Sequence, residues 1–387
     1  MKLKFPGLIL FFLLCLGQSG NRLSAQDSSH LRISLLTCTP GEELYSIFGH
    51  SALRIVDSTN INNRFFDVVY NYGTFDFYDE HFYLKFIRGK LLYCISEENF
   101  SDFKLEYQTA NRGITEQVLD LTAEEKINTK KILLENLREE NRYYKYDFFL
   151  DNCTTRLRDL ILRIKRPAVQ LPAVMPVNTR FRQAIHQYLD DGQQYWSKFG
   201  IDILLGARTD AVMTPAQQQF LPDNLMTALD KSSPPIVASS ADLYAIPKKN
   251  NDNSWFTPMV VFSCLLIFFV LLSLSKNKWL CMLLKGLDGF LFLITGLLGI
   301  ILIFMWVGTD HSMTKDNYNL LWALPSHIIF AFFINSNRSF VKSYFLFTAI
   351  SLLIVLAAWA FLPQQLNTAL IPFVILLLYR SGMNYFK

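Results

Sequence analysis

The chain has 387 residues, of which 51% are hydrophobic and only 18% are charged. Soluble domains carry charge on about a quarter of their residues, so this composition argues against a purely soluble protein and against a disordered one. Residues 27–255 carry 26 basic and 30 acidic side chains, a net charge of −4, whereas residues 256–387 carry only 8 basic and 3 acidic ones. An acidic soluble part argues against a nucleic-acid partner. We therefore expect a soluble domain followed by a membrane domain.

Residues 1–26 have the pattern of a secretory signal peptide. Lys2 and Lys4 precede an apolar run over residues 8–16, and small residues at Ser24 and Ala25 offer a cleavage zone. The run is too short to cross a bilayer, which takes about 20 residues. The pattern predicts export of the domain that follows.

The soluble domain, residues 27–231, is predicted to be α+β. Strands are expected at residues 31–36, 50–56, 65–75 and 83–93. Thr122 and Glu125 have the spacing of a capping box at a helix start, and Asp151 or Asn152 is the expected cap of a second helix. Residues 176–231 are expected to be mainly helices and loops, broken at Pro215 and Pro222.

A Pro-rich linker is predicted at residues 232–256, as a semi-rigid tether to the membrane domain. The membrane domain, residues 257–387, is predicted to be an all-α bundle of about five transmembrane helices. These spans are placed near 257–275, 287–308, 319–335, 344–362 and 366–379. If the soluble domain lies outside the membrane, seven basic residues fall in cytoplasmic segments, and among the outside loops after the first span only Lys315 is basic. This excess of positive charge on the cytoplasmic side is typical of membrane proteins.

Three cysteines remain in the soluble domain once the signal peptide is removed: Cys38, Cys94 and Cys153. Cys153 lies at a predicted helix N-terminus, where the helix dipole and free N–H groups favour the thiolate. Cys38 and Cys94 either form a disulfide or remain two buried free thiols. Cys153 is therefore the candidate nucleophile.

A nucleophilic cysteine needs a base, and His50 is the candidate because it begins a predicted strand directly after Gly49. The alternative is a structural histidine. Asn71, on the next predicted strand, is the candidate for orienting the imidazole; the alternative is a structural residue at a strand end. The histidine spacing gives no metal site, and we expect neither a metal nor a cofactor.

A polar loop is predicted outside the membrane between the second and third spans. It contains Asp310 and His311, with Trp322 nearby. One interpretation is a contact for a lipid headgroup or a lipidated substrate, and the other is an interfacial loop with an aromatic belt. His327, inside the third span, is expected to be functional or paired between helices.

Three sequence segments carry a resemblance to a known family. FGHSALRI around His50, YNYGTFDF at 70–77 and DNCTTRLRDL around Cys153 together resemble the Lnb family of bacterial lipoprotein N-acyltransferases. The resemblance implies a circularly permuted papain-like domain, of the NlpC/P60 and lecithin:retinol acyltransferase type, in the periplasm, and membrane helices in the inner membrane. It further implies transfer of an acyl chain from a membrane phospholipid, through a Cys153 thioester, to the α-amine of a diacylglyceryl lipoprotein.

Two other functions remain open from the sequence. A membrane-anchored papain-like peptidase acting on cell-wall peptides would use the same cysteine and histidine, although one anchoring helix would be enough for it. A non-catalytic assembly or sensor protein would use Cys153 only as a structural residue.

Overall fold

The computed structural model describes residues 29–61, 64–246 and 254–386. The predicted signal peptide lies outside the described residues. Within them, an N-terminal domain built around one β-sheet is followed by a helical C-terminal region.

The N-terminal domain contains a seven-stranded sheet with the strand order β6-β4-β3-β2-β1-β5-β7. Every neighbouring pair is antiparallel. The strands are β1 Leu31–Cys38, β2 His50–Ile61, β3 Arg64–Thr74, β4 Leu92–Asn99, β5 Ile114–Leu119, β6 Tyr143–Lys145 and β7 Val237–Tyr244. The predicted strands at 31–36, 50–56 and 65–75 are confirmed as β1, β2 and β3.

The central strands are buried on both faces. Ile33 and Leu35 of β1 join one core cluster, which also contains Leu157 and Ile161 of the helix that begins at Cys153. Leu36 of β1 joins a second cluster on the alternate positions. Because side chains alternate across a strand, β1 is covered on both sides, and it holds the neighbouring strands firmly.

Eight helices accompany this sheet among the described residues. They are α1 Phe82–Ile87, α2 Phe100–Thr109, α3 Ala123–Asn136, α4 Cys153–Ile164, α5 Phe181–Asp191, α6 Tyr195–Leu204, α7 Pro215–Gln218 and α8 Pro222–Asp230. Thr122 caps α3 in a capping box with Glu125, as the sequence predicts. The mainly helical character of residues 176–231 is also confirmed.

Two predicted segments differ in the structure. The strand expected at 83–93 is wrong over most of its length, because residues up to Ile87 form α1 and only Leu92 and Tyr93 belong to β4. The left-handed conformation of His81 begins this helix, and Gly89 at φ +64° lies in the turn between α1 and β4. The linker expected at 232–256 contains strand β7, which pairs with β5. An edge strand keeps one backbone edge and much of its surface in water, so the polar sequence of β7 fits it. Residues 247–253 of the predicted linker lie outside the described residues.

The C-terminal region contains α9 Pro258–Ser273, α10 Lys278–Val307, α11 His327–Ala331, α12 Ser339–Ala357 and α13 Leu370–Tyr385. Of these, α10 and α12 are long and apolar enough to cross a membrane, and α9 and α13 are shorter apolar helices. The third predicted span, 319–335, is not one continuous helix but a 3-10 turn at Tyr318–Leu321 followed by α11. Pro325 lacks an amide proton and interrupts a regular helix at that point.

The loop after α10 holds the two parts of the chain together. Ser312 donates a hydrogen bond to the Asp147 carboxylate at 2.6 Å, and the amide of Gly206 donates to the carbonyl of Met313 at 2.8 Å. From a second loop, Asn367 donates to the Asp202 carboxylate at 2.8 Å. These contacts dock the N-terminal domain on the outer loops of the helical region.

Candidate active site

Cys153 is the first residue of α4, as predicted. Asn152 caps the helix: its side chain accepts from the amide of Thr155, and the Thr155 side chain accepts from the amide of Asn152. The Asn152 side-chain amide also donates to the carbonyls of Phe148 and Phe220, at 2.7 and 2.9 Å. These bonds fix the helix start and leave the buried thiol of Cys153 at its positive end.

His50 is the first residue of β2, and α4 packs against β2 and β3. Gly49, directly before it, has φ +77°, and a Cβ atom at that position would lie 2.7 Å from the carbonyl oxygen of Cys38. Only glycine fits such a turn without strain. The turn places the His50 imidazole beside the Cys153 thiol, near enough for each group to shift the pKa of the other.

A chain of side-chain hydrogen bonds orients His50. Its Nε2 atom lies 3.1 Å from Oδ1 of Asn71, and Nδ2 of Asn71 donates to the Glu98 carboxylate at 2.7 Å. An ionised carboxylate only accepts, so it fixes the amide with its oxygen toward His50. Nε2 must then carry a proton, so in the neutral imidazole Nδ1 is the nitrogen that is free to accept one.

The electrostatics of the pair favour a thiolate and an imidazolium. Burial alone would raise the pKa of Cys153, but the charge and hydrogen bond of His50 lower it to about 7, helped by the amide of Ser51 and the hydroxyl of Thr154. Burial opposes protonation of His50, yet the facing Cys153 thiolate and Asn71 give a net rise in its pKa. Opposite shifts in contacting groups are the signature of an ion pair, which is the reactive form of a cysteine nucleophile.

A buried tyrosine hydroxyl lies beside this pair. The side chain of Tyr144 is in the same core cluster as Cys153, and its hydroxyl has no hydrogen-bond partner among the described residues. A Cβ atom on Gly73 would lie 4.0 Å from this hydroxyl and 3.8 Å from Cβ of Cys153. Burial, and then the Cys153 charge, raise the pKa of Tyr144 far above its usual value. The hydroxyl therefore stays protonated, and its proton has no acceptor among the described residues.

The other two cysteines of the domain are free thiols, so the disulfide considered from the sequence is not formed. Cys38 is buried, and burial raises its pKa to about 12. Cys94 is half-buried, and its sulfur lies 3.9 Å from a guanidinium nitrogen of Arg142. Of the two buried thiols, only that of Cys153 has a lowered pKa.

The three residues predicted in or near the outer loop, Asp310, His311 and Trp322, do not lie together in the structure. His311 lies against the carbonyls of Phe86 and Ile87, at 3.2 and 3.1 Å, and Asp310 pairs with Lys145 at 3.2 Å. Both therefore join the loop to the N-terminal domain. Trp322 is buried in the helical region, where its indole donates to Asn319 at 2.9 Å.

His327 is buried in the helical region, as the sequence suggested, and lies 2.6 Å from the hydroxyl of Tyr344. This pairs it between α11 and α12. Among residues 29–61, 64–246 and 254–386, no cluster of side chains has the composition of a metal site.

The structure thus brings His50, Asn71 and Cys153 together, and it adds Glu98 and Tyr144, which sequence reasoning missed. Glu98 lies on β4, opposite Val69, and its role depends on strand pairing that no local pattern encodes. Tyr144 belongs to an aromatic stretch at 143–149 that the sequence displays, but which ring faces the cysteine is decided by tertiary packing.

Comparison with known families matches both parts of the chain. Residues 21–187 match the Lnb N-terminal periplasmic domain, and residues 249–387 match the Lnb transmembrane domain. No curated protein and no solved structure matches. The described sheet domain lies largely within the first match, and the described apolar helices lie within the second. The chain is a membrane protein with a periplasmic domain, and it belongs to the Lnb family.

Proposed function

We propose that this protein is a lipoprotein N-acyltransferase of the bacterial inner membrane. It takes an acyl chain from a membrane phospholipid and transfers it, through a Cys153 thioester, to the α-amine of a diacylglyceryl lipoprotein. The observation that carries the proposal is the Cys153–His50 pair in a domain docked directly on membrane-domain loops.

The fold of the catalytic domain is proposed to be a permuted papain-like one. In papain-type enzymes the cysteine precedes the histidine and asparagine in the chain. Here His50 and Asn71 lie on adjacent strands that precede the Cys153 helix. The same three side-chain types in a permuted order support this assignment. Five membrane passes are proposed for the helical region.

In the first step, the Cys153 thiolate attacks the ester carbonyl carbon of a phospholipid. A C–S bond forms, the carbonyl electrons move to oxygen, and the tetrahedral intermediate then expels the lysophospholipid alkoxide. The imidazolium of His50 gives its proton to this leaving oxygen. The products are an acyl-thioester on Cys153, a lysophospholipid and neutral His50.

The negative oxygen of the tetrahedral intermediate needs hydrogen-bond donors. We assign this role to the unpartnered Tyr144 hydroxyl together with the amide groups at the start of α4. The position of Gly73 supports this role, because a side chain there would contact both the hydroxyl and Cys153.

In the second step, the neutral α-amine of the lipoprotein's N-terminal cysteine attacks the thioester. His50 takes the amine proton as the amide bond forms, and the thiolate of Cys153 leaves. The proton then rests on His50, and the starting ion pair is restored. The bonds and protons of the two steps balance with this chain and its two substrates alone.

The test uses the purified full-length protein with phospholipid vesicles and a synthetic diacyl lipopeptide carrying a free α-amine. We expect mass spectrometry to find N-acylated lipopeptide and lysophospholipid in equal amounts, and neither with Cys153→Ala. A parallel incubation with peptidoglycan tests the peptidase alternative. Released cell-wall peptides without N-acylation would reject the acyltransferase.

A further inference from the structure

Helix α1 presents an apolar sequence, FYLKFI, yet none of its six residues is buried. Tyr83 is 79% exposed, and Leu84, Phe86 and Ile87 are about half-exposed; Phe77 and Tyr78, just before the helix, are 66% and 96% exposed. An apolar patch of this kind is costly in water and marks a binding surface.

A continuous row of aromatic rings joins this patch to the nucleophile. A Cβ atom on Gly73 would lie 3.6 Å from the Tyr146 ring and 3.8 Å from Cβ of Cys153, which places that ring beside the cysteine. Tyr146 stacks on Tyr93 with centroids 4.4 Å apart, and Tyr93 contacts Phe75 at 5.2 Å.

The row continues outward from Phe75. Phe82 stacks on Phe75 at 5.8 Å, and Phe86 stacks on Phe82 at 6.1 Å. We call Tyr146, Tyr93, Phe75, Phe82 and Phe86 the aromatic track. None of its five members is fully buried, so the track has a surface that a ligand can cover.

The outer end of the track lies against the loop that follows the apolar helix α10. His311 lies within hydrogen-bond distance of the Phe86 carbonyl, and the amide of Asp310 donates to the carbonyl of Arg88. The apolar helix α10 ends at Val307, three residues before Asp310. Its 30 residues extend over about 45 Å, enough to cross the ~30 Å hydrocarbon core, so α1 lies close to the end of a helix that is long enough to span a membrane.

We propose that the aromatic track binds the acyl chain of the donor phospholipid and guides its ester from the bilayer to Cys153. This inference rests on the proposed function and names the place where its donor binds. Moving an acyl chain through water costs about 0.8 kcal/mol per CH₂, and an unbroken row of rings removes that cost. The exposed residues of α1 enter the outer leaflet, and the inner rings hold the chain once its ester reaches the thiol.

The first test does not require catalysis. The full-length Cys153→Ala variant is reconstituted in vesicles containing a phospholipid with a photoreactive diazirine in one acyl chain. After illumination, we expect cross-linked lipid on peptides covering residues 75–93 and 143–149. Cross-links confined to the apolar helices α9, α10, α12 and α13 would overturn the proposal, whether or not the protein proves to be an acyltransferase.

The second test separates chain binding from the chemistry. We compare Phe86→Ser with Leu105→Ser, because Leu105 is 62% exposed on α2, outside the track. With a long-chain donor in vesicles, we expect Phe86→Ser to form the Cys153 thioester at least tenfold more slowly, and Leu105→Ser at the wild-type rate. With a short-chain, water-soluble phospholipid, all three proteins should react within about twofold.

Phe86→Leu, which keeps an apolar side chain, should restore most of the long-chain rate. If Phe86→Ser loses the same fraction of its thioester-formation rate with both donors, or none with either, the proposal that the track binds the acyl chain is overturned. If wild-type protein forms no thioester with either donor, the proposed function fails, while the cross-linking result still decides whether the track binds acyl chains.

Discussion

The Glu98 carboxylate accepts a hydrogen bond from Nδ2 of Asn71 at 2.7 Å. This contact determines which nitrogen of the neutral His50 imidazole carries the proton. With the Asn71 amide turned so that its oxygen meets Nε2 of His50 at 3.1 Å, only Nδ1 remains to exchange a proton with Cys153. A residue that touches neither reacting atom therefore fixes the tautomer that the reaction needs.

Glu98→Ala should slow acylation of Cys153 about tenfold, which corresponds to about 1.4 kcal/mol, because the Asn71 amide loses the group that fixes its orientation. Glu98→Gln should retain most of the activity, since its carbonyl oxygen still accepts from Asn71. Single-turnover thioester formation, followed by intact-protein mass spectrometry, measures both. Equal loss in the two variants would show that the charge of Glu98, rather than its acceptor role, matters.

Reactivity of Cys153 should rise as the pH rises through about 7, its lowered pKa, because the thiolate is the nucleophile and lower pH protonates it. The ordinary thiol pKa is 9.0. His50→Ala should move the midpoint upward, because burial then opposes the thiolate without the imidazolium to compensate. The pH profile of alkylation by iodoacetamide measures this midpoint, with Cys153→Ala as the background. An unchanged midpoint in His50→Ala would contradict the ion pair.

Tyr144→Phe removes a hydroxyl that has no hydrogen-bond partner in the described structure. The melting temperature should stay the same or rise, because an unpaired buried polar group is unfavourable. The rate of thioester formation should fall by a factor of about 10–100, because a donor to the oxyanion is lost. Thermal unfolding and single-turnover rates on one preparation separate the two effects. If Tyr144→Phe forms the thioester at the wild-type rate and has the wild-type melting temperature, the Tyr144 hydroxyl takes no part in the mechanism.

Gly206→Ala should weaken the docking of the two domains. A Cβ atom there would lie 1.9 Å from the carbonyl oxygen of Lys315, so the backbone of the outer loop must move, at a cost of about 1–3 kcal/mol. We expect a lower melting temperature and slower acylation from vesicles.

Gly200→Ala is the matched control, because a Cβ atom at this position in α6 meets nothing within 4 Å. It should be neutral, or stabilise the protein by about 0.5–1 kcal/mol through helix propensity. A Gly206→Ala variant as stable as Gly200→Ala would contradict the tight docking of the loop.

The parts of the fold that the sequence predicted are those that local patterns encode. The capping box at Thr122 and Glu125, the Asn152 cap and strands β1 to β3 all depend on residues within a few positions of each other. The candidate nucleophile and base were predictable for the same reason, because a helix start and a strand start are local features.

The parts that the sequence did not predict depend on distant contacts. Helix α1 has the aromatic content of a strand, and it packs against the loop after α10, which is distant in the sequence. Strand β7 looks like a linker, and it becomes a strand by pairing with β5. Glu98 and Tyr144 have no motif, and they reach the site through strand pairing and packing.

The Cys153 acyl-thioester is tested most directly by the intact mass of the purified protein after incubation with phospholipid vesicles and no acceptor. We expect a gain of one acyl group on Cys153, sensitive to hydroxylamine, absent in Cys153→Ala and strongly reduced in His50→Ala. Addition of a diacyl lipopeptide should discharge that group onto its α-amine. An unmodified Cys153 in active, folded protein, or an acyl group that water removes but the lipopeptide amine does not accept, would contradict the account.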